Sequence, residues 1–199
     1  MIEVSAYQVT DPEWLGEQLE ACARLYGRAE QATLGVLWWY SASSVFLGPA
    51  VSGRDPALKA MMLRLQPDGR LIEATSYAAF AGDFAELGER IRDMLATSIE
   101  SVSAVSGARP RTLWAIATDS LANRLLWAGA PELAIPMSSA IGPELPRPRY
   151  VQVNGRQFVQ RASCCLIYQA TGGAKCTSCP RQTPAERLAR LTSHRTTFS

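Results

Sequence analysis

Leu34-Gly-Val-Leu-Trp-Trp-Tyr-Ser-Ala-Ser-Ser-Val-Phe-Leu-Gly-Pro-Ala-Val51 is an apolar run whose reading separates a membrane-spanning fold from a water-soluble one. A transmembrane helix needs about 20 predominantly apolar residues. Here Ser41, Ser43 and Ser44 interrupt the run, and Gly48-Pro49 closes it. The expected structure is therefore a helix buried on all sides within a soluble core. Peripheral contact of the protein with a membrane surface remains compatible with that reading.

The flanking sequence supplies the partners such a helix needs. Thr10 and Glu13 have the spacing of a capping box and Pro12 suits a first helical turn, so a helix is expected from here to Gly27. Leu15, Leu19, Cys22 and Tyr26 form its apolar stripe, which makes Cys22 a small core residue. Met61 to Gln66 and Arg70 to Tyr77 flank Pro67-Asp68-Gly69 and read as a β-hairpin. Asp83 and Glu86 cap a long helix to Val105, with Phe84, Leu87, Ile91, Met94, Leu95 and Val102 on one face. A further helix is expected over Leu113 to Trp127.

Five of the 12 prolines fall at 131, 136, 143, 146 and 148, a density that predicts a linker or long wrapping loop. Beyond it, Asn154-Gly155 between short apolar runs predicts a tight hairpin. Thr183 and Glu186 cap a last short helix before a polar tail. The fold class is α+β: a helix-rich trunk with antiparallel hairpins (1–148), a small cysteine-rich C-terminal segment reached through a hairpin (149–182), and a short helix with its tail (183–199).

Composition agrees with a globular chain, because 47% of the 199 residues are hydrophobic and 19% charged. The net charge of +2 is unevenly spread: residues 1–100 carry 8 basic against 14 acidic side chains, residues 101–199 carry 12 against 4. The halves stand near −6 and +8. No lysine-rich run or basic helix concentrates the positive charge, so nucleic acid is not the expected partner. The basic half instead favours an anionic protein or small molecule. The start, Met-Ile-Glu-Val-Ser-Ala-Tyr, lacks the pattern of a secretory signal, so a cytoplasmic location with reduced thiols is expected.

Those thiols carry the chemistry. Cys164, Cys165, Cys176 and Cys179 lie within 16 residues, spaced as an adjacent pair, ten residues, a third cysteine, two residues and a fourth. Four thiolates suit an iron-sulfur cluster or a structural zinc, and a thiol-disulfide site is the third possibility. Zinc ribbons commonly use two Cys-x-x-Cys turns, and only Cys176 to Cys179 provides one. The lone histidine, His194, sits in the tail, so a two-histidine Rieske site is excluded. Neighbouring side chains on an extended strand point apart, so Cys164 and Cys165 can serve one centre only if the chain turns there.

The segment Arg161-Ala-Ser-Cys-Cys-Leu-Ile-Tyr168, its Gly172-Gly173 loop and Cys176-Thr-Ser-Cys179-Pro180 resemble the C-terminal 2Fe-2S motif of the FhuF-like ferric-siderophore reductases. A weaker likeness extends to the helix with Leu113-Trp114 and Leu121-Ala122. The resemblance implies a 2Fe-2S cluster on Cys164, Cys165, Cys176 and Cys179, and one-electron reduction of Fe(III) held by a siderophore in the cytoplasm; the apolar run keeps a place at the inner membrane face compatible with this. The spacing of Cys176 and Cys179 places those two on one iron and the adjacent pair on the other.

No Gly-x-Gly-x-x-Gly or Walker motif is present, so electrons are expected from an external ferredoxin, flavodoxin or their reductase. Arg161, Lys175 and Arg181 bracket the cysteines as candidate contacts for an anionic substrate or donor, and Trp114 is a candidate pocket residue. The alternative function is a ligand-binding or sensor protein in which the four cysteines hold structural zinc or a sensory cluster.

Overall fold

In the computed structural model, which describes residues 1–193, the apolar run forms helix α2 (Gln31–Phe46) and a single turn α3 (Gly48–Val51), divided at Leu47. His194 and the polar tail lie outside the described residues. Trp39 and Phe46 on α2 are fully buried, and 72% of the Gln31–Val51 window, although long and apolar enough to cross a membrane, is covered by the rest of the fold.

Its cover comes from helices α1 (Pro12–Tyr26), α4 (Phe84–Ser106) and α5 (Pro110–Trp127) and from a three-stranded antiparallel sheet. The sheet runs β1 (Ile2–Ser5), β2 (Met61–Leu65), β3 (Leu71–Ser76), in that order. The expected hairpin is β2–β3, with Leu63 opposite Ala74 and a bulge at Arg64/Leu65. Strand β1, not expected from the sequence, pairs Val4 with Leu63. The described residues are 57% helical, and with two antiparallel sheets the fold is α+β.

Close approaches fix how the helices sit. Trp39 Nε1 donates to the Leu113 carbonyl at 2.9 Å, and the Ser43 and Ser120 hydroxyls meet at 2.8 Å, so α2 and α5 are joined by buried hydrogen bonds as well as apolar contact. A Cβ on Gly35 would lie 2.2 Å from Ser106 Oγ, so glycine there lets α2 reach the end of α4.

Three local expectations need correction. The cap of α1 is Asp11, whose carboxylate accepts from Glu13 N–H at 2.9 Å. Thr10 instead closes a 3-10 turn (Ala6–Thr10) that Ser5 caps, and its hydroxyl donates to the Tyr7 carbonyl. Phe84 stands exposed because it occupies the first turn of α4, beyond the reach of the core. The proline-rich stretch holds helix α6 (Ala134–Ile141), packed on α4 through buried Ala134, Met137 and Ile141. Pro136 is tolerated because it sits in the first turn, where an N–H has no intrahelical acceptor.

The C-terminal elements follow the turn chemistry closely. Strands β4 (Tyr150–Val153) and β5 (Arg156–Val159) pair around Asn154 and Gly155, both at positive φ (51° and 73°), as a type I′ turn requires. Then come α7 (Ile167–Thr171) and α8 (Pro184–Ser193), the latter capped by Thr183 and Glu186.

Candidate metal centre

Between β5 and α7 the chain abandons regular structure, and this is where the cysteines lie. Leu166 adopts φ 61°, ψ 10°, a left-handed conformation that costs a branched side chain roughly 1–2 kcal/mol. It supplies the turn that an extended strand lacks, and it brings Cys164 and Cys165 to one centre. The backbone amides of Leu166 and Ile167 favour the thiolate forms of Cys164 and Cys165 respectively. Gly27, at the end of α1 with φ 109°, leaves room for the Ala170 carbonyl of α7, which would stand 2.4 Å from any Cβ.

The four thiols gather as one group. Cys179 Sγ lies 3.6 Å from Cys164 Sγ, and Cys165 and Cys176 both lie within reach of one nitrogen, Arg161 Nη1. Cys164, Cys165 and Cys179 are buried and Cys176 is partly so, and all are free thiols. A Cys179 N–H to Cys176 carbonyl bond of 3.1 Å closes the Cys-x-x-Cys turn.

Arg161 lies against two of these thiols. Its Nη1 stands 3.4 Å from Cys176 Sγ and 3.9 Å from Cys165 Sγ. Its Nε is 3.6 Å from Asp119 Oδ2, and its guanidinium rests 4.5 Å above the Tyr40 ring. Both members of the ion pair have side chains only 2% exposed. The expectation of Arg161 as an outward-facing contact is therefore corrected: buried against Tyr40 and Asp119, it faces the thiols. Burial alone would weaken its hold on the proton, but Tyr40, Cys165 and Asp119 outweigh that and keep it charged.

Asp119 projects from the middle of α5 and accepts from Ala162 N–H at 2.7 Å and Ser163 N–H at 3.1 Å, so one carboxylate fixes the start of the cysteine loop. Burial pushes its pKa up, opposed by those two amides and by Arg161. Cys165 is held well below the ordinary thiol value, first by donation from the Cys164 and Cys176 thiols, then by the Ile167 amide and Arg161. Gln182 is buried below the turn, and its Nε2 donates to the Cys176 carbonyl at 2.8 Å and to that of Thr177 at 3.2 Å.

The other expected residues are placed apart. Lys175 turns inward, its ammonium on the Arg181 carbonyl at 2.8 Å, which closes the loop rather than reaching outward. Arg181 is exposed and donates to Tyr168 Oη at 3.4 Å. Trp114 packs half-buried against the core. The residues that sequence reasoning passed over are Asp119, Tyr40, Gln182 and Arg109. Asp119 alone left a signal, as the single carboxylate within an otherwise apolar and neutral stretch of α5.

A groove of about 480 Å³ opens beside the thiols, walled by Thr33, Arg109, Thr112, Cys164, Pro180 and Arg181. A larger cavity of about 650 Å³, lined by Arg54, Glu73, Tyr77 and Arg124, includes no cysteine.

The donor set can be tested against the possible occupants. Among the described residues no three Cys, His, Asp or Glu side chains converge on one single-ion position, which a structural zinc would need. Four thiols in one group suit a two-iron cluster. Arg161 Nη1 faces two of the sulfurs and its Nη2 is buried without a hydrogen-bond partner, and such donors suit an anionic sulfur cluster. The fold and the site together define a protein with a thiolate-held iron-sulfur centre. Residues 161–181 match the FhuF 2Fe-2S C-terminal domain, consistent with an FhuF-like family and with a 2Fe-2S cluster as cofactor. No curated protein matches the chain.

Proposed function

We propose that the protein reduces Fe(III) held in an anionic siderophore, and that the chelate docks in the groove beside Cys164. The observation that carries this reading is that one of the four thiols, Cys164, forms part of the wall of an open groove whose rim holds two exposed cations, Arg109 and Arg181. Bound to the four cysteines, a 2Fe-2S cluster supplies one electron at a time.

Siderophores grip Fe(III) through hard oxygen donors. One added electron gives Fe(II), a less strongly polarising ion that those donors hold less tightly, so reduction becomes release. The chain's part is to attract and seat the substrate. Arg109 and Arg181 draw the anion to the groove, and Thr33 and Thr112 offer hydroxyls along its wall. An external electron carrier protein, acidic as the basic C-terminal half would favour, restores the electron, and the cytoplasm is the compartment in which both partners meet.

Stopped-flow mixing of the reduced protein with an anionic ferric chelate under anaerobic conditions tests this. Reoxidation is expected, slowing as the screening length falls from about 10 Å at 0.1 M salt to about 3 Å at 1 M. Arg109→Glu with Arg181→Glu should slow it further without bleaching the cluster. If no ferric chelate reoxidises the protein, the reductase reading fails and a sensory cluster takes its place.

A further inference from the structure

The sulfur contacts bear on which cysteines share an iron. Two sulfurs on one metal, with bonds of about 2.3 Å, stand about 3.8 Å apart. The 3.6 Å between Cys164 and Cys179 already matches that edge. Cys165 and Cys176 are the remaining pair, and one nitrogen, Arg161 Nη1, reaches both.

The two pairs are electrically unequal. The guanidinium sits over the Cys165–Cys176 half and contacts neither Cys164 nor Cys179 by hydrogen bond among the described residues. It cannot swing away, because Tyr40 covers its face and Asp119 its Nε side. When one electron enters a diferric cluster, one iron becomes ferrous and that half gains negative charge. A fixed cation and its N–H groups lower the energy of that half most.

We propose that Cys164 and Cys179 share one iron, Cys165 and Cys176 the other, and that Arg161 is the positioning residue that directs the incoming electron to the Cys165–Cys176 iron. This rests on the 2Fe-2S assignment and not on the reductase reading. The iron that receives the electron is then the one screened by Arg161, while the other pair includes Cys164, which borders the open groove.

Proton NMR of the wild-type protein, reduced by dithionite, tests both parts. In a coupled ferric–ferrous pair, cysteine β-protons on the ferric iron shift less as temperature rises, and those on the ferrous iron shift in the opposite sense. Assigned through their neighbours, the Cys165 and Cys176 protons should share the ferrous behaviour and those of Cys164 and Cys179 the ferric. A division into Cys164 with Cys165 and Cys176 with Cys179 would overturn the pairing. The ferrous pattern on Cys164 and Cys179 would overturn the role of Arg161.

Redox titration of Arg161→Gln supplies a second readout. Its equilibrium constant for one-electron reduction should fall at least tenfold, about 59 mV, with Arg161→Lys recovering part of it. If Arg161→Gln does not hold the cluster, Arg161→Lys carries the measurement, since a lone ammonium cannot reproduce the Nη1 contacts with both sulfurs. An unchanged potential in a variant with an intact visible band would remove Arg161 from the account. None of these measurements involves a ferric chelate, so failure here and failure of the reductase reading are separate results.

Discussion

The trunk and the cysteine segment are held by different physics. In the trunk, Leu15, Trp39, Phe46, Leu63, Leu95 and Leu113 are all fully buried in one continuous apolar core. Between 161 and 182, apolar cover is thin and the chain is held by polar bonds to main-chain atoms: Asp119 to two amides, Gln182 to two carbonyls, Lys175 and Arg190 to one carbonyl each. The comparison teaches that the trunk takes its shape mainly from apolar burial, with a few buried hydrogen bonds between its helices, whereas the site takes its shape from directed bonds and is completed by a metal cluster.

The largest effect should come from cutting the joint between the two regions. Asp119→Ala leaves Arg161 buried without its countercharge, and removing one partner of such a pair costs about 3–5 kcal/mol. Urea unfolding should show that loss, with lower cluster occupancy read from the visible band. Asp119→Asn, which keeps the size but not both acceptors, should lose less. A folded Asp119→Ala protein with full colour would break the claim that the trunk positions the site.

A second prediction concerns the trunk alone. Burial pushes the Cys22 thiol from 9.0 up to about 11. Because the folded value is the higher one, the fold is favoured by the neutral thiol at pH below 9, and this contribution is lost as pH rises from about 9 through 11. At about 1.4 kcal/mol per pH unit the loss reaches about 3 kcal/mol. Cys22→Ala should flatten the alkaline limb of a stability–pH profile and leave the visible band unchanged. A dependence of the colour on Cys22 would place that thiol in the site after all.

The smallest effect should be at the far edge of the segment. Thr183→Ala removes the hydroxyl that accepts from Glu186 N–H at 3.2 Å and donates to the Glu186 carboxylate at 3.0 Å, and leaves the bond from the backbone N–H of residue 183 to that carboxylate in place. The expected loss is about 1 kcal/mol, visible as faster amide exchange in α8 with the cluster unaffected. If the cluster is lost as well, α8 belongs to the site through Arg190 and its bond to the Lys175 carbonyl.

What the sequence disclosed follows the same division. The helices, the β2–β3 hairpin and the Asn154–Gly155 turn were legible because periodicity, caps and positive-φ residues are local signals. The four cysteines were legible by spacing and by resemblance. Arg161 was misread because burial depends on Asp119 and Tyr40, far away in the chain, and no local pattern announces them. The pairing of cysteines proposed above differs from the one their spacing suggests for a related reason: a Cys-x-x-Cys turn fixes two backbones near each other, while the direction of each sulfur is set by what surrounds it. Strand β1 and helix α6 were missed because each depends on a partner element rather than on its own propensity.

Asp119 also carries a consequence for biosynthesis. Its amide partners on the cysteine loop lie 43 and 44 residues further along the chain. At a synthesis rate of about 5–20 residues per second, Asp119 is made about 2–9 s before those residues, and the cysteines follow them. During that interval the nascent trunk holds a carboxylate with neither its cation nor its amides, so the apolar core around it cannot close completely. All four cysteines exist only once Cys179 has been made, so a complete cluster follows the closing of that joint in the order of synthesis.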